Sequence, residues 1–265
     1  MIRGGIGKGV KPQILVSGMA GLLCLMGLLG VQRHAIISSV YQGPQPVIAS
    51  TPYAGSGLSP KNRVEAVDCS LTPCLALTFD DGPNPVTTPQ ILDILEAYDA
   101  RATFFVIGSR VPGHEALLQR MFQDGFEIGN HSWSHPDLTK LSSVQVRQQV
   151  EQTQTAVINA GVPAPRLFRP PYGAVNPMVK SQIPLTLVMW NVDPEDWQTP
   201  DVSQIIAKVE AQAKPGGMVV MHDIHAQTAQ ALPTILDNLE DRFQLVTVSD
   251  LFNLAPGQRG EYFGR

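Results

Sequence analysis

Basic residues are scarce where acidic ones are most abundant. Six of the 19 lysines and arginines (Arg3, Lys8, Lys11, Arg33, Lys61 and Arg63) precede the first acidic residue, Glu65. Beyond Arg63, 13 basic residues face 23 acidic ones, a net of −10. Such a body lacks the cationic footprint that a phosphate backbone requires, which argues against a nucleic-acid partner. A solvated acidic surface is enough to account for the charge. Cysteine is rarer still, with three in 265 residues. Cys24 lies in an apolar run and reads as filler. Gly21-Leu22-Leu23 before it lacks the small residue expected next to a lipidated cysteine. Cys69 and Cys74 are too few for a structural zinc site. They flank a Ser-Leu-Thr-Pro turn and can close a small disulfide loop in an oxidising compartment, or stay reduced.

Charge is missing altogether from residues 12–32, a run of 21. At the helical rise that length roughly matches a ~30 Å hydrocarbon layer. Arg3, Lys8 and Lys11 precede the run and only Arg33 closely follows it, so the positive-inside bias keeps the N-terminus in the cytoplasm. We expect an uncleaved transmembrane anchor over residues 1–33; a cleaved signal peptide, giving a secreted protein, is the alternative. Residues 42–60 mix Gly, Pro, Ser, Thr and Ala without apolar periodicity, the composition of a spacer, so residues 34–63 form the expected linker. The body, 64–265, carries no repeat or low-complexity tract. It is long enough to bury one substantial core.

Within the body, β-like runs alternate with amphipathic helical patterns. Strands are expected at 74–79, 102–107, 126–128, 167–169, 185–190, 218–221 and 244–246, and helices at 88–98, 114–123, 142–159, 202–213 and 229–239. Alternation of this kind predicts an α/β fold with a mainly parallel sheet, either open or closed into a barrel. In such folds chemistry gathers at the C-terminal ends of strands.

Polar motifs stand at those ends. The first strand runs into Asp80-Asp81-Gly82-Pro83. Adjacent carboxylates repel unless a cation lies between them or one accepts a proton, although Asp-Gly-Pro is also ordinary turn chemistry. After the strand at 126–128, His131-Ser132-Trp133-Ser134-His135 places two imidazoles four apart, a spacing that on a helical turn puts both rings on one side. With one carboxylate from the first strand they would form a two-His, one-Asp site with a position open for water. Prolines 170 and 171 stiffen the loop carrying Arg169 and Tyr172. Asp193-Pro194-Glu195-Asp196-Trp197 and His222-Asp223-Ile224-His225 follow two further strands, and a strand-end histidine is a good general acid near neutral pH. His225 reads as a rim or helix-start residue, and His34 and His114 as surface histidines.

Taken in order, Thr78-Phe79-Asp80-Asp81-Gly82, His131 to His135, Arg169-Pro170-Pro171-Tyr172, Asp193 to Trp197 and Val220-Met221-His222 resemble the polysaccharide deacetylase family, carbohydrate esterase family 4, with its NodB-like domain. The likeness covers residues 74–251. It implies a distorted (β/α) barrel with a metal, usually zinc but open to cobalt or nickel, held by Asp81, His131 and His135. It implies Asp80 as general base, oriented by Arg169, and His222 as general acid, tuned by Asp193. Tyr172 would offer its amide to the oxyanion, Trp197 would wall the sugar groove, and Val220 would line the acetyl pocket where the family usually has leucine. The implied activity is removal of N-acetyl groups from a glycan outside the cytoplasm. Peptidoglycan N-acetylglucosamine is the expected substrate; chitooligosaccharide and acetylated xylan are alternatives.

Two rivals differ in class. A zinc protease of the His-Glu-x-x-His kind needs a glutamate after its first histidine, where this chain has Ser132. A non-catalytic glycan-binding module on the same fold would have no use for Asp80, Arg169 and His222 together.

Overall fold

The computed structural model describes residues 67–255 and 260–262. The expected anchor and linker lie outside them. Among the described residues no helix is long and apolar enough to cross a membrane. In chain order the elements are β1 (Cys74–Asp80), α1 (Thr87–Ala97), β2 (Ala102–Val106), α2 (Glu115–Gln123), β3 (Glu127–Asn130), α3 (Ser143–Asn159), β4 (Leu167–Phe168), α4 (Pro177–Gln182), β5 (Thr186–Val188), α5 (Val202–Gln212), β6 (Gly217–His222), α6 (Ala226–Leu239), β7 (Gln244–Leu245), α7 (Val248–Phe252) and β8 (Glu261–Tyr262).

Every strand pairing is parallel, in the order β6-β1-β2-β3-β4-β5-β8, with β7 added to β1. The sheet curls into an incomplete barrel. Val192, just past β5, reaches Val219 on β6 in an isolated parallel bridge. The sequence left open whether the sheet closes, and closure here rests on that one bridge.

All seven residues of β1 are buried, as expected for a parallel strand covered on both faces. Its side chains alternate. Leu75, Leu77 and Phe79 join Ile91, Leu92 and Leu95 of α1, Leu118 and Met121 of α2, and Ile235 and Leu236 of α6 in the outer core. Cys74 and Ala76 face Phe105, Leu167, Val188 and Met218 in a second cluster lining the curl. A period of two carries Thr78 and Asp80 along that same inner face. β6 behaves alike, with Val219 and Met221 in the outer core and Met218 in the inner cluster. His222 therefore points inward, and the register pairs it directly with Asp80.

Helix starts follow local chemistry. Ser142 and Gln145 form a reciprocal capping box at α3, and Asp201 accepts from the Ser203 and Gln204 amides at α5. At the opposite end of β1 from the site, Cys69 and Cys74 are disulfide-bonded. The short elements α4, α7 and β8 were not expected from periodicity. Strand β3 lies one to two residues later than expected, and α6 starts three residues earlier, with His225 as its N-cap.

Candidate metal centre and active site

Consecutive residues of a strand face opposite ways, so Asp80 and Asp81 share one site only because the chain leaves the strand between them. Asp81 has φ 76°. Gly82 follows, and a Cβ there would lie 2.1 Å from Asp223 Oδ2, so only glycine lets the buried Asp223 pack behind the turn.

Asp81 Oδ1 lies 3.5 Å from His131 Nε2 and 3.4 Å from His135 Nε2. One donor atom from each of the three residues falls within 4.8 Å of the others. Asp81 Oδ1 is buried and accepts no hydrogen bond, an arrangement that costs free energy unless a cation compensates it. The His131 Nδ1 sits 2.7 Å from the Arg169 carbonyl, which can only accept. The ring proton is therefore on Nδ1, and the Nε2 lone pair faces Asp81. Burial drives the His131 pKa down to about 3, against the pull of the Asp81 charge, so the ring is neutral and free to ligate. Two imidazole nitrogens and a carboxylate fit a divalent transition metal.

The spacing of the histidines does not work through a helical turn, as the sequence had led us to expect. Residues 131–136 form an irregular loop in which Ser132 has φ 67° and His135 φ 59°. These two left-handed residues fold the loop back, so the rings stand 4.9 Å apart, centroid to centroid. Ser132 Oγ accepts the His135 amide and closes the loop.

Arg169 is fully buried and spends its guanidinium on the inner face. Nη1 donates to Asp80 Oδ1 and to Thr78 Oγ1, each at 2.7 Å, and Nη2 to the Met189 carbonyl at 2.9 Å. The Phe105 ring lies 4.2 Å beneath it. Burial raises the Asp80 pKa even though Arg169 and His222 pull it back. Burial likewise lowers that of Arg169, but the 2.7 Å contact favours the ionic pair.

The carboxylate beside His222 is Asp196, and this corrects the expectation for Asp193. Asp196 Oδ1 lies 2.7 Å from His222 Nδ1, its Oδ2 accepts the His222 amide at 2.8 Å, and Thr228 Oγ1 donates to the same oxygen at 2.5 Å. Glu195, with φ 56°, turns the chain so that Asp196 faces inward, fully buried. Asp193 instead closes the local turn by accepting the Glu195 amide, and holds the Trp190 indole N–H at 3.2 Å. Burial lowers the His222 pKa, but the hydrogen bond and charge of Asp196, with Asp80 and Asp81, outweigh it and lift the value to about 9.

At the rim, Tyr172 (69% exposed) sets its ring 4.6 Å from that of His135, and Trp197 (56% exposed) follows Asp196. Tyr172 has φ 60°, and the hydrogen bonds of its turn begin only at the Gly173 amide. Val220 is buried on β6, in register with Thr78. His225 lies 5.8 Å from His222, centroid to centroid, at the start of α6. The half-buried His114 binds the Arg110 carbonyl, away from the metal ligands. Sequence reasoning missed Thr78, Asn130, Gln149 and the packing role of Asp223; a polar residue in an otherwise apolar strand was the available signal for Thr78.

Comparison with known proteins follows the same residues. A sequence model described as polysaccharide deacetylase matches residues 68–186. The chain is 47% identical over 178 residues to the peptidoglycan-N-acetylmuramic acid deacetylase PdaC of Bacillus subtilis, covering 67% of this chain and 38% of that protein. It is 38% identical over 186 residues to a peptidoglycan-N-acetylglucosamine deacetylase of Bacillus cereus, covering 67% of this chain and 87% of the relative. The solved structure of the B. subtilis PdaC superposes with a TM-score of 0.68 at 46% identity, covering 71% of this chain and 93% of that one. Against the full length of PdaC, the chain spans about two fifths.

Proposed function

This chain belongs to the polysaccharide deacetylase family, and on that premise we propose that it is a metal-dependent N-deacetylase acting on peptidoglycan. The observation that carries the reading is the meeting, at one end of the curled sheet, of the Asp81-His131-His135 donor set with the Asp80-Arg169 pair and the His222-Asp196 pair. A non-catalytic binder has no need of the last two.

When bound, a divalent ion, zinc by preference, supplies Lewis acidity that polarises the acetamide carbonyl and lowers the pKa of water. Asp80 accepts the proton of the attacking water; Arg169 holds its carboxyl in place, and burial raises its basicity. The Tyr172 amide donates to the developing oxyanion. His222, protonated near neutral pH, gives its proton to the departing sugar nitrogen, and Asp196 steadies the imidazolium. Val220 lines the space for the acetyl methyl, and Trp197 offers an apolar wall to a sugar ring. Asp193 acts through Trp190 rather than through His222.

The substrate assignment draws on relatives named for peptidoglycan, and N-acetylglucosamine is the sugar we assign; the relative named for N-acetylmuramic acid favours that residue as the second reading. The uncharged run at 12–32 supports an anchor that holds the body outside the cytoplasm. The test is acetate release by the full chain, stripped of metal and reloaded with zinc, on peptidoglycan, chitin oligomers and acetylated xylan. Sugar analysis of digested peptidoglycan tells the two amino sugars apart. Zinc-dependent release from peptidoglycan, lost in Asp80→Asn, is the expected result. Release from none of the three, with one zinc bound per chain, would support the binding module instead.

A further inference from the structure

The loop carrying both histidine ligands has no regular structure of its own and two left-handed residues, so its geometry must be imposed from outside. Its carbonyls are taken from one side, where the Gly108 and Ser109 amides donate to Ser132 and Trp133, each at 2.9 Å. Two of its amides, those of Trp133 and Ser134, are taken by α3. Asn130 links β3 to that helix through Nδ2, which donates to the Val150 carbonyl and to Gln154 Oε1, while its Oδ1 accepts the Ser132 amide. Gln149, on the same stretch of α3, accepts the amides of both Trp133 and Ser134 on a single oxygen, each at 2.9 Å. Its Nε2 donates to Ser134 Oγ at 3.1 Å.

Two of the three backbone donors lying between His131 and His135 thus share one acceptor, 15 and 16 residues away in sequence, and the third, the Ser132 amide, goes to Asn130. We propose that Gln149 is a positioning residue that sets the separation of His131 and His135 and thereby the metal affinity of the site. It touches neither the ligand atoms nor any substrate position described above. Its action passes through the loop backbone, and Gly108 and Ser109 supply the fixed side against which it pulls. The inference rests on the metal-site reading above.

The test uses the full chain and three variants. Gln149→Met keeps the length but removes the acceptor, Gln149→Asn keeps the amide but is one methylene too short, and Gln149→Glu keeps an acceptor at full reach. Zinc affinity is measured by competition with a chromogenic chelator, and the melting temperature of the metal-free protein is recorded beside it. Gln149→Met and Gln149→Asn are expected to bind zinc about tenfold more weakly or worse, as loss of outer-shell support generally does, while Gln149→Glu recovers most of the affinity. Should Gln149→Met fail to fold, the asparagine and glutamate variants carry the comparison. Wild-type zinc affinity in both disruptive variants, or a lowered metal-free melting temperature with affinity unchanged, overturns the positioning role. A wild-type chain that takes up no zinc overturns the metal reading itself, an outcome read on a different protein sample.

Discussion

Two histidines of one site, His131 just past β3 and His222 at the end of β6, have been driven apart in pKa by their surroundings. His131 is buried, donates through Nδ1 to a neutral carbonyl and titrates near 3. His222 is also largely buried, but its Nδ1 meets the carboxylate of Asp196, and it titrates near 9. Desolvation acts on both in the same direction, so the difference lies in the partner. A carbonyl orients a ring and favours its charged form too weakly to offset burial, whereas a buried carboxylate adds its full negative charge. One residue type therefore provides a neutral ligand on one side and a protonated acid on the other, at the same pH.

The comparison is most easily broken at the neutral histidine. His131→Ala removes one of three ligands, so zinc content should fall close to zero by elemental analysis and activity should vanish with it. Zinc retained at one per chain would mean that Asp81 and His135 hold it without His131. At the charged histidine, His222→Ala should leave zinc content unchanged and lower kcat by about 10²–10⁴, the usual worth of a positioned proton donor. Loss of zinc in that variant would place His222 among the ligands and end its assignment as acid.

A smaller change sharpens the contrast. Asp196→Asn preserves shape but removes the charge that raises the His222 pKa, which should then move from about 9 down toward its ordinary value. Because the protonated ring is the active form, activity is lost as pH rises through that pKa, so the alkaline limb of the pH–kcat profile should move to lower pH. Thr228→Val, which loosens Asp196 without removing it, should move the same limb in the same direction by less. An alkaline limb that stays in place in Asp196→Asn would show that another group sets it.

Much of the site was legible because its residues follow apolar strands. Asp80, Asp81, His131, Arg169 and His222 each stand at or just past a strand end, where hydropathy changes abruptly. Neither Asp196 nor Gln149 was legible in that way. Asp193 and Asp196 lie in one short segment, and the choice between them depends on the left-handed Glu195, which hydropathy does not report. Gln149 is one of several glutamines on α3 and looks like a solvated helix position until the loop is seen against it. The short elements α4, α7 and β8 span too few residues for a period to register. Strand β4 has only two residues, and Pro170 and Pro171, which have no amide proton for a ladder, follow Arg169 at once.

Residue types and their approximate stations along the chain were determined by the sequence alone. Alternating apolar patterns specify strands and helices locally, and a strand's period of two already decides that Asp80 shares a face with Thr78. Only the tertiary structure decided which acid meets which base. Partnership across a curled sheet depends on strand register and on a few left-handed residues, Asp81, Ser132, His135, Tyr172 and Glu195, whose conformations are imposed by distant contacts rather than by their neighbours in the chain.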